Sequence, residues 1–279
     1  MRIRVVGEHH CDRTLDDPYP HLFLPFREGA SSESGLPNDH LHGPVYLEFD
    51  EGVENFARVV EDLVPAGAVL AVDELTGAMR RAQPRLFPCG RPADAAQIIG
   101  AAKLIKTPDE LACIRTACRI TDEAMVDVQA ALAPGIRQID LSAGFMRRAF
   151  ELGAMASMLE PIWQVMPPSK QDGVWTTHGD LALPLLTTER ELRAGDVLWT
   201  DVSITYAGYC SDFGRTWVVG QDPTPRQQAQ FGKWREIMDA VLDVTRAGAT
   251  AAELGRAATK ANGGARPWLP HFYLGTESA

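Results

Sequence analysis

Apolar positions along the chain switch between a helical and a strand period, and the switches mark its elements. Residues 44–49 alternate and predict a strand, while Val53, Phe56, Val59 or Val60 and Leu63 recur at helical spacing through 53–64. Residues 69–72 form a short apolar run suited to a buried strand, and 75–81 returns to helical spacing. This β-α-β-α order predicts an α/β layer arrangement. From residue 107 helices dominate. Thr107-Pro108-Asp109-Glu110 is a capping box with proline at the first helical position: the hydroxyl reaches the amide of Glu110 and the carboxylate reaches back. Leu111, Ile114, Cys118, Met125, Val128 and Leu132 then form one apolar stripe, ended by Pro134-Gly135. Asp140 reads as the cap of a further helix that carries Leu141, Phe145, Ala149 and Leu152 to a stop at Gly153. The Met and Phe of these stripes are read as core.

The stretch 195–217 changes period again. Runs 198–205 and 209–217 are rich in Val, Ile, Thr, Tyr and Trp, and Ala207-Gly208 between them supplies the positive φ of a tight hairpin. Beyond it, Thr224-Pro225 opens a helix through Phe231, Trp234, Met238, Val241 and Thr245, Gly248 closes it, and Thr250 to Glu253 is another capping box. The plan of 107–153 thus recurs from 224, about 117 residues further on.

Composition narrows the class. At about 150 residues per domain, 279 residues suggest two domains, expected at 1–104 and 105–279. Hydrophobic residues are 45% and charged residues 23%, as in a soluble globular protein. No apolar run approaches the roughly 20 residues of a membrane span. The opening run 1–6 meets Gly7-Glu8-His9-His10 at once, too polar for a secretory leader. Five cysteines without a C-x-x-C pair argue against a disulfide framework and for a reducing cytoplasm. A net charge of -10 without clustered Lys or Arg argues against nucleic acid. Five of the seven histidines lie before residue 49. His9-His10 and His40-x-His42 have no Cys, Asp or Glu at a familiar ligand spacing, so they read as solvated or locally bonded loop histidines.

The candidate chemistry lies in the hairpin. A loop centred on Tyr206 and Ala207 would set Asp201 directly across from Asp212, with Cβ atoms about 4.5–5.5 Å apart. Like charges so placed destabilise a sheet unless one is protonated or a cation sits between them. Two readings follow: an exposed edge hairpin with two solvated acids, or a divalent metal site. Alternation would put Thr216 on the carboxylate face and Arg215 on the other, and a bulge would break that parity.

The run Gly195-Asp196, then Asp201, then G-Y-x-x-D-x-x-R-T from Gly208 to Thr216, resembles the aminopeptidase P, prolidase and creatinase family of pita-bread metalloenzymes. The resemblance runs from about Gly43 to the end of the chain. It implies an α/β (α+β) chain: a small creatinase-like N-terminal domain with shortened opening strands, followed by an incomplete pita-bread catalytic domain. In that domain the recurring helix plan would correspond to two pseudo-symmetric halves. Asp201 and Asp212 would be metal ligands. The resemblance implies two divalent ions about 3.5–4 Å apart that activate a water for attack on an amide carbonyl. Mn²⁺ is the first expectation, with Co²⁺, Zn²⁺ or Fe²⁺ as alternatives. It also implies a cytoplasmic Xaa-Pro dipeptidase acting on a proline-containing dipeptide or short peptide, a homodimer when intact, with no nucleic-acid or membrane partner.

The sequence departs from that family at several points. Ser203 stands where relatives carry glycine, and strand parity would turn its hydroxyl to the metal face. His178 is the one nearby candidate for a proton-transfer histidine, and His271 fits either a substrate-side role or a core turn. The closing run 273–279 lacks the ligand histidine and the two later glutamates of relatives. Residues 1–279 are therefore expected to be a fragment that does not hydrolyse dipeptides. The alternatives are a pita-bread binding or interaction module and a non-peptidase pita-bread enzyme.

Overall fold

The computed structural model describes residues 21–24, 36–63, 69–87, 92–166 and 187–267. The chain divides into two compact units, Met1–Lys106 and Thr107–Ala279. The opening run 1–6, His9-His10, His178, His271 and the closing run 273–279 all lie outside the described residues.

In the first unit, β1 (Leu22–Phe23) pairs in parallel with β2 (Leu41–His42). After α1 (Asp50–Leu63), β3 (Ala71–Val72) leads through α2 (Gly77–Arg81) and α3 (Gln83–Leu86) to its parallel partner β4 (Ala93–Asp94), and α4 (Ala96–Leu104) follows. Helix α1 buries Val53, Phe56, Ala57 and Val60, the stripe its spacing predicts, against Phe23, Val45, Leu47, Leu70, Met79, Leu86 and Phe87. Thr76 caps α2 by accepting from the Met79 amide at 3.2 Å, and its own hydroxyl donates to the Leu47 carbonyl. Residues 44–49 do not form the expected strand. Pro44 has no N–H to give a ladder, and the Phe49 amide turns back to the Tyr46 carbonyl at 3.2 Å. Val45 and Leu47 are buried all the same, so the alternation reported burial and not pairing. His40 and His42 gather around His21, with ring centroids 4.0 and 5.1 Å away, and His21 Nδ1 lies 2.9 Å from His42 Nε2. Burial, then the neighbouring His21 and His40, hold His42 below the usual imidazole range.

The second unit opens on α5 (Pro108–Ala131), whose capping box is present as predicted: Thr107 Oγ1 accepts from the Glu110 amide at 3.3 Å and Glu110 accepts from the Thr107 amide at 2.7 Å. Its buried face is Ala117, Ile120, Thr121, Ala124, Met125 and Val128, so the predicted stripe is rotated: Leu111 and Cys118 face solvent. Small Ala117 and Ala124, silent in an apolar count, are what let the helix seat closely. Helix α6 (Gln138–Glu151) starts earlier than expected. Asp140 is its third residue and not its cap; its carboxylate accepts from the Arg137 amide at 3.3 Å and from the guanidinium at 2.7 and 2.9 Å.

Strands β5 (Ala156–Ser157), β6 (Ile162–Met166), β7 (Val197–Val202), β8 (Ile204–Tyr206), β9 (Tyr209–Cys210) and β10 (Phe213–Val218) form two three-stranded antiparallel sheets, β10-β7-β6 and β5-β8-β9. Trp163 on β6 is fully buried, and its indole N–H donates to Ser142 Oγ at 2.8 Å. Buried Gln138 donates to the Trp163 carbonyl at 2.6 Å and accepts from the Thr188 amide and hydroxyl, so α6, β6 and the approach to β7 are tied at one residue. The core gathers Ile120, Met125, Val128, Leu141, Phe145, Trp163, Leu198, Val202, Ile204 and Val219. Helices α7 (Pro225–Val244) and α8 (Ala251–Ala261) pack on each other. The stripe read along α7 is not buried there: Phe231 and Trp234 stack at 5.6 Å and are 59% and 49% exposed. No helix among the described residues is long and apolar enough to cross a membrane.

Candidate metal centre

Ala207 (φ 50°) and Gly208 (φ 81°) both take left-handed backbone, the pattern of a type I′ turn whose twist matches the flanking strands. The hairpin is therefore centred between Ala207 and Gly208, one residue beyond the expected centre, with Tyr206 opposite Tyr209 and Thr205 opposite Cys210. The same register continues in β7 and β10, where Val202 faces Phe213 and Asp201 faces Gly214. Asp201 thus does not sit directly across from Asp212, which corrects the expected pairing. Asp212 is the diagonal neighbour, about 7–8 Å away between Cα atoms in a regular sheet. Register is the same on both sides of the break between β9 and β10, so no residue is inserted and parity holds. Alternation keeps Asp201, Asp212 and Thr216 on one face. Arg215 faces the other way, its guanidinium over the Phe213 ring at 4.1 Å and 3.8 Å from Asp122 of α5.

Asp201 is half-buried beside a position, Gly214, that brings no side chain, whereas Asp212 is exposed. Burial first, and the charge of Asp212 second, push the Asp201 carboxyl above the usual carboxylate range. The charge of Asp212 therefore reaches Asp201.

What orders this corner escaped the reading of the sequence. Strand β7 passes into β8 across Ser203, and β9 into β10 across Ser211-Asp212. The Ser203 hydroxyl, expected on the metal face, instead donates to the Ser211 carbonyl. Ser211 Oγ accepts from the Ile204 amide at 3.1 Å and lies 2.7 Å from Thr121 Oγ1 of α5. Thr121, inside the buried face of α5 at a core position, is the signal that could have revealed this network. Tyr209 adds a second tie, donating to Glu110 at 2.9 Å.

Two carboxylates on one face, one of them resisting ionisation, fit a hard divalent cation: oxygen donors suit it, and its charge relieves both the burial of Asp201 and the repulsion from Asp212. Among the described residues no group of three His, Cys, Asp or Glu side chains comes together as a ligand set.

The second unit is mixed α/β and presents a carboxylate pair on one strand face. The chain is a member of metallopeptidase family M24, whose family model matches residues 112–273. It is 25% identical over 239 residues to the probable dipeptidase PepE of Mycobacterium tuberculosis, covering 83% of this chain and 56% of that protein. It is 26% identical over 178 residues to the Xaa-Pro dipeptidase of Pyrococcus furiosus, covering 64% of this chain and 46% of the relative. Among solved structures, recombinant prolidase from Thermococcus sibiricus superposes with a TM-score of 0.63 at 23% identity, over 81% of this chain and 59% of that one. That likeness shows the pita-bread fold. The chain spans about half the length of the curated relatives it matches.

Proposed function

We propose that this chain carries part of a dinuclear-metal hydrolase of the Xaa-Pro peptidase type, a cytoplasmic proline dipeptidase, with Asp201 and Asp212 as ligands. The observation that carries the reading is the placement of these two acids on one strand face, inside the region matched to the metallopeptidase family. Mn²⁺ suits their hard oxygen donors, with Co²⁺, Zn²⁺ and Fe²⁺ as alternatives. When bound, a divalent pair polarises an amide carbonyl and lowers the pKa of a water to near neutral. Asp201 and Asp212 would supply two of the ligands, and Thr121, Ser203 and Ser211 order the strand corner that presents them. Residues 1–104 would form the creatinase-like N-terminal domain, and the intact protein would be a homodimer acting on proline-containing dipeptides.

The test has two parts. A cation that binds the folded form alone at about 100 times its Kd stabilises it by about 2.7 kcal/mol, so Mn²⁺ should raise the melting temperature measurably. Asp212→Asn should remove that rise, and a rise that survives the substitution puts the ions elsewhere. The full-length protein with Mn²⁺ or Co²⁺ should cleave an Xaa-Pro dipeptide in preference to Xaa-Ala; no metal-dependent cleavage would refute the assignment.

A further inference from the structure

Ser211, the residue before Asp212, has every polar group committed. Its amide donates to the Ile204 carbonyl at 3.0 Å, as a ladder bond between these strands would. The reciprocal ladder bond is replaced: the Ile204 amide goes to Ser211 Oγ at 3.1 Å, and the Ser211 carbonyl takes the Ser203 hydroxyl. The single proton of Thr121 goes to the Ala117 carbonyl at 3.0 Å, so in the 2.7 Å contact between Thr121 and Ser211 it is Ser211 that donates. Thr121, Ser203 and Ser211 are all buried. Hydroxyls thus splice the ladder where both strands of the hairpin pass from one sheet to the other, between Asp201 and Asp212.

From this we infer that Thr121, Ser203 and Ser211 are positioning residues: they set the placement of Asp212 relative to Asp201 and so tune cation affinity. The inference rests on the metal reading proposed above. None of the three touches the cation. Their effect passes through the backbone of residues 203–204 and 211–212, which a buried and fully bonded network holds to one arrangement. Removal of a hydroxyl would let the splice open and the two carboxylates drift.

The test measures Mn²⁺ affinity of the full chain by electron paramagnetic resonance of the free ion, beside urea unfolding of the metal-free protein. Thr121→Val keeps volume and loses the hydroxyl; Thr121→Ser keeps the hydroxyl and loses a methyl. Thr121→Val should weaken Mn²⁺ binding by about 10-fold, the lower end of what partners of metal ligands contribute. Thr121→Ser should bind within about twofold of wild type although it too loses stability. Ser203→Ala, at the far side of the splice, should weaken binding in the same direction and serves as the readout if Thr121→Val does not fold. Affinities that follow the loss of stability across all three variants, or that do not change in Thr121→Val and Ser203→Ala, overturn the inference while leaving the metal site in place. Wild-type affinity that Asp212→Asn does not reduce overturns the metal reading itself and this inference with it.

Discussion

Ala207 offers a direct test of the register that sets the site. It is the one described non-glycine residue with positive φ, at 50°, and it is exposed. Left-handed backbone costs an L-residue about 1–2 kcal/mol through the approach of Cβ to the following carbonyl. Glycine removes that cost but adds about 0.5–1 kcal/mol of freedom in the unfolded chain. Ala207→Gly should therefore stabilise by about 0.5–1 kcal/mol. Ala207→Asn, whose side chain tolerates this conformation without freeing the backbone, should do at least as well, by about 1 kcal/mol. The Ala207 amide donates to Met155 Sδ at 3.3 Å, a bond both substitutions keep. For a unit of this size, the gain corresponds to about 1–4 °C in melting temperature. Gly208→Ala is the reciprocal control. An added Cβ there meets nothing within 4 Å, so its loss would report backbone strain alone at φ 81°. Thermal and urea melts of the three variants decide the matter. A lower midpoint for both Ala207→Gly and Ala207→Asn would mean that the turn is not type I′, and the pairing of Asp201 with Gly214 would fall with it.

Three further outcomes follow from the geometry. Gly52→Ala should destabilise the first unit by about 1–3 kcal/mol through overpacking, because a Cβ at this buried helical position would land on the Tyr46 carbonyl; a gain of the size seen for exposed helical glycines, read by urea unfolding, would refute the contact. Thr200 Oγ1 is buried with no hydrogen-bond partner among the described residues, so Thr200→Val should raise stability by about 1 kcal/mol, and Thr200→Ser, which keeps the hydroxyl and loses the methyl, should lower it. The third outcome is a pH dependence. Asp201 holds its proton more tightly in the folded chain than in the unfolded one, so its contribution is fully present below the ordinary carboxylate range and is lost as pH rises through the raised value. Metal-free wild type should lose stability relative to Asp201→Asn from about pH 4 upward, and Asp212→Asn should shrink that loss without abolishing it, because burial is the larger cause. A difference between wild type and Asp201→Asn that does not vary with pH would contradict the coupling.

What could be read in advance depended on whether local chemistry was sufficient. The capping boxes at Thr107 and Thr250 satisfy backbone groups with side chains three residues away, and both appear where the sequence put them; at Thr224, read only as a helix start, Gln227 completes a third. The face of α5 was less legible because Ala117 and Ala124 are compatible with core and surface alike, and only the sheet beneath decides. Hairpin existence was legible from Ala207-Gly208, but its centre was not: alanine is not the residue a left-handed position advertises, and moving the centre by one residue moves every cross-strand partner by two. A shift of two preserves parity. The common face of Asp201, Asp212 and Thr216 therefore survived an error in their pairing, whereas a bulge would have destroyed it.

That surviving parity explains why the acids do more here than they would in an ordinary ladder. Directly opposed on paired strands, two carboxylates would be fixed at one separation. At the junction of two sheets, the position opposite Ser203 carries no regular pairing, so Asp212 stays exposed at the edge while Asp201 sits half-buried in the central strand. Burial makes Asp201 costly to ionise, and the charge of Asp212 adds to that cost. A cation reverses both signs at once: it compensates the burial of Asp201 and turns the repulsion from Asp212 into shared attraction. On the proposed metal reading, a cation would relieve the raised Asp201 carboxyl, and the hydroxyl bonds of Ser203, Ser211 and Thr121 would hold the corner that presents it. Strain of this kind belongs where a ligand is meant to relieve it.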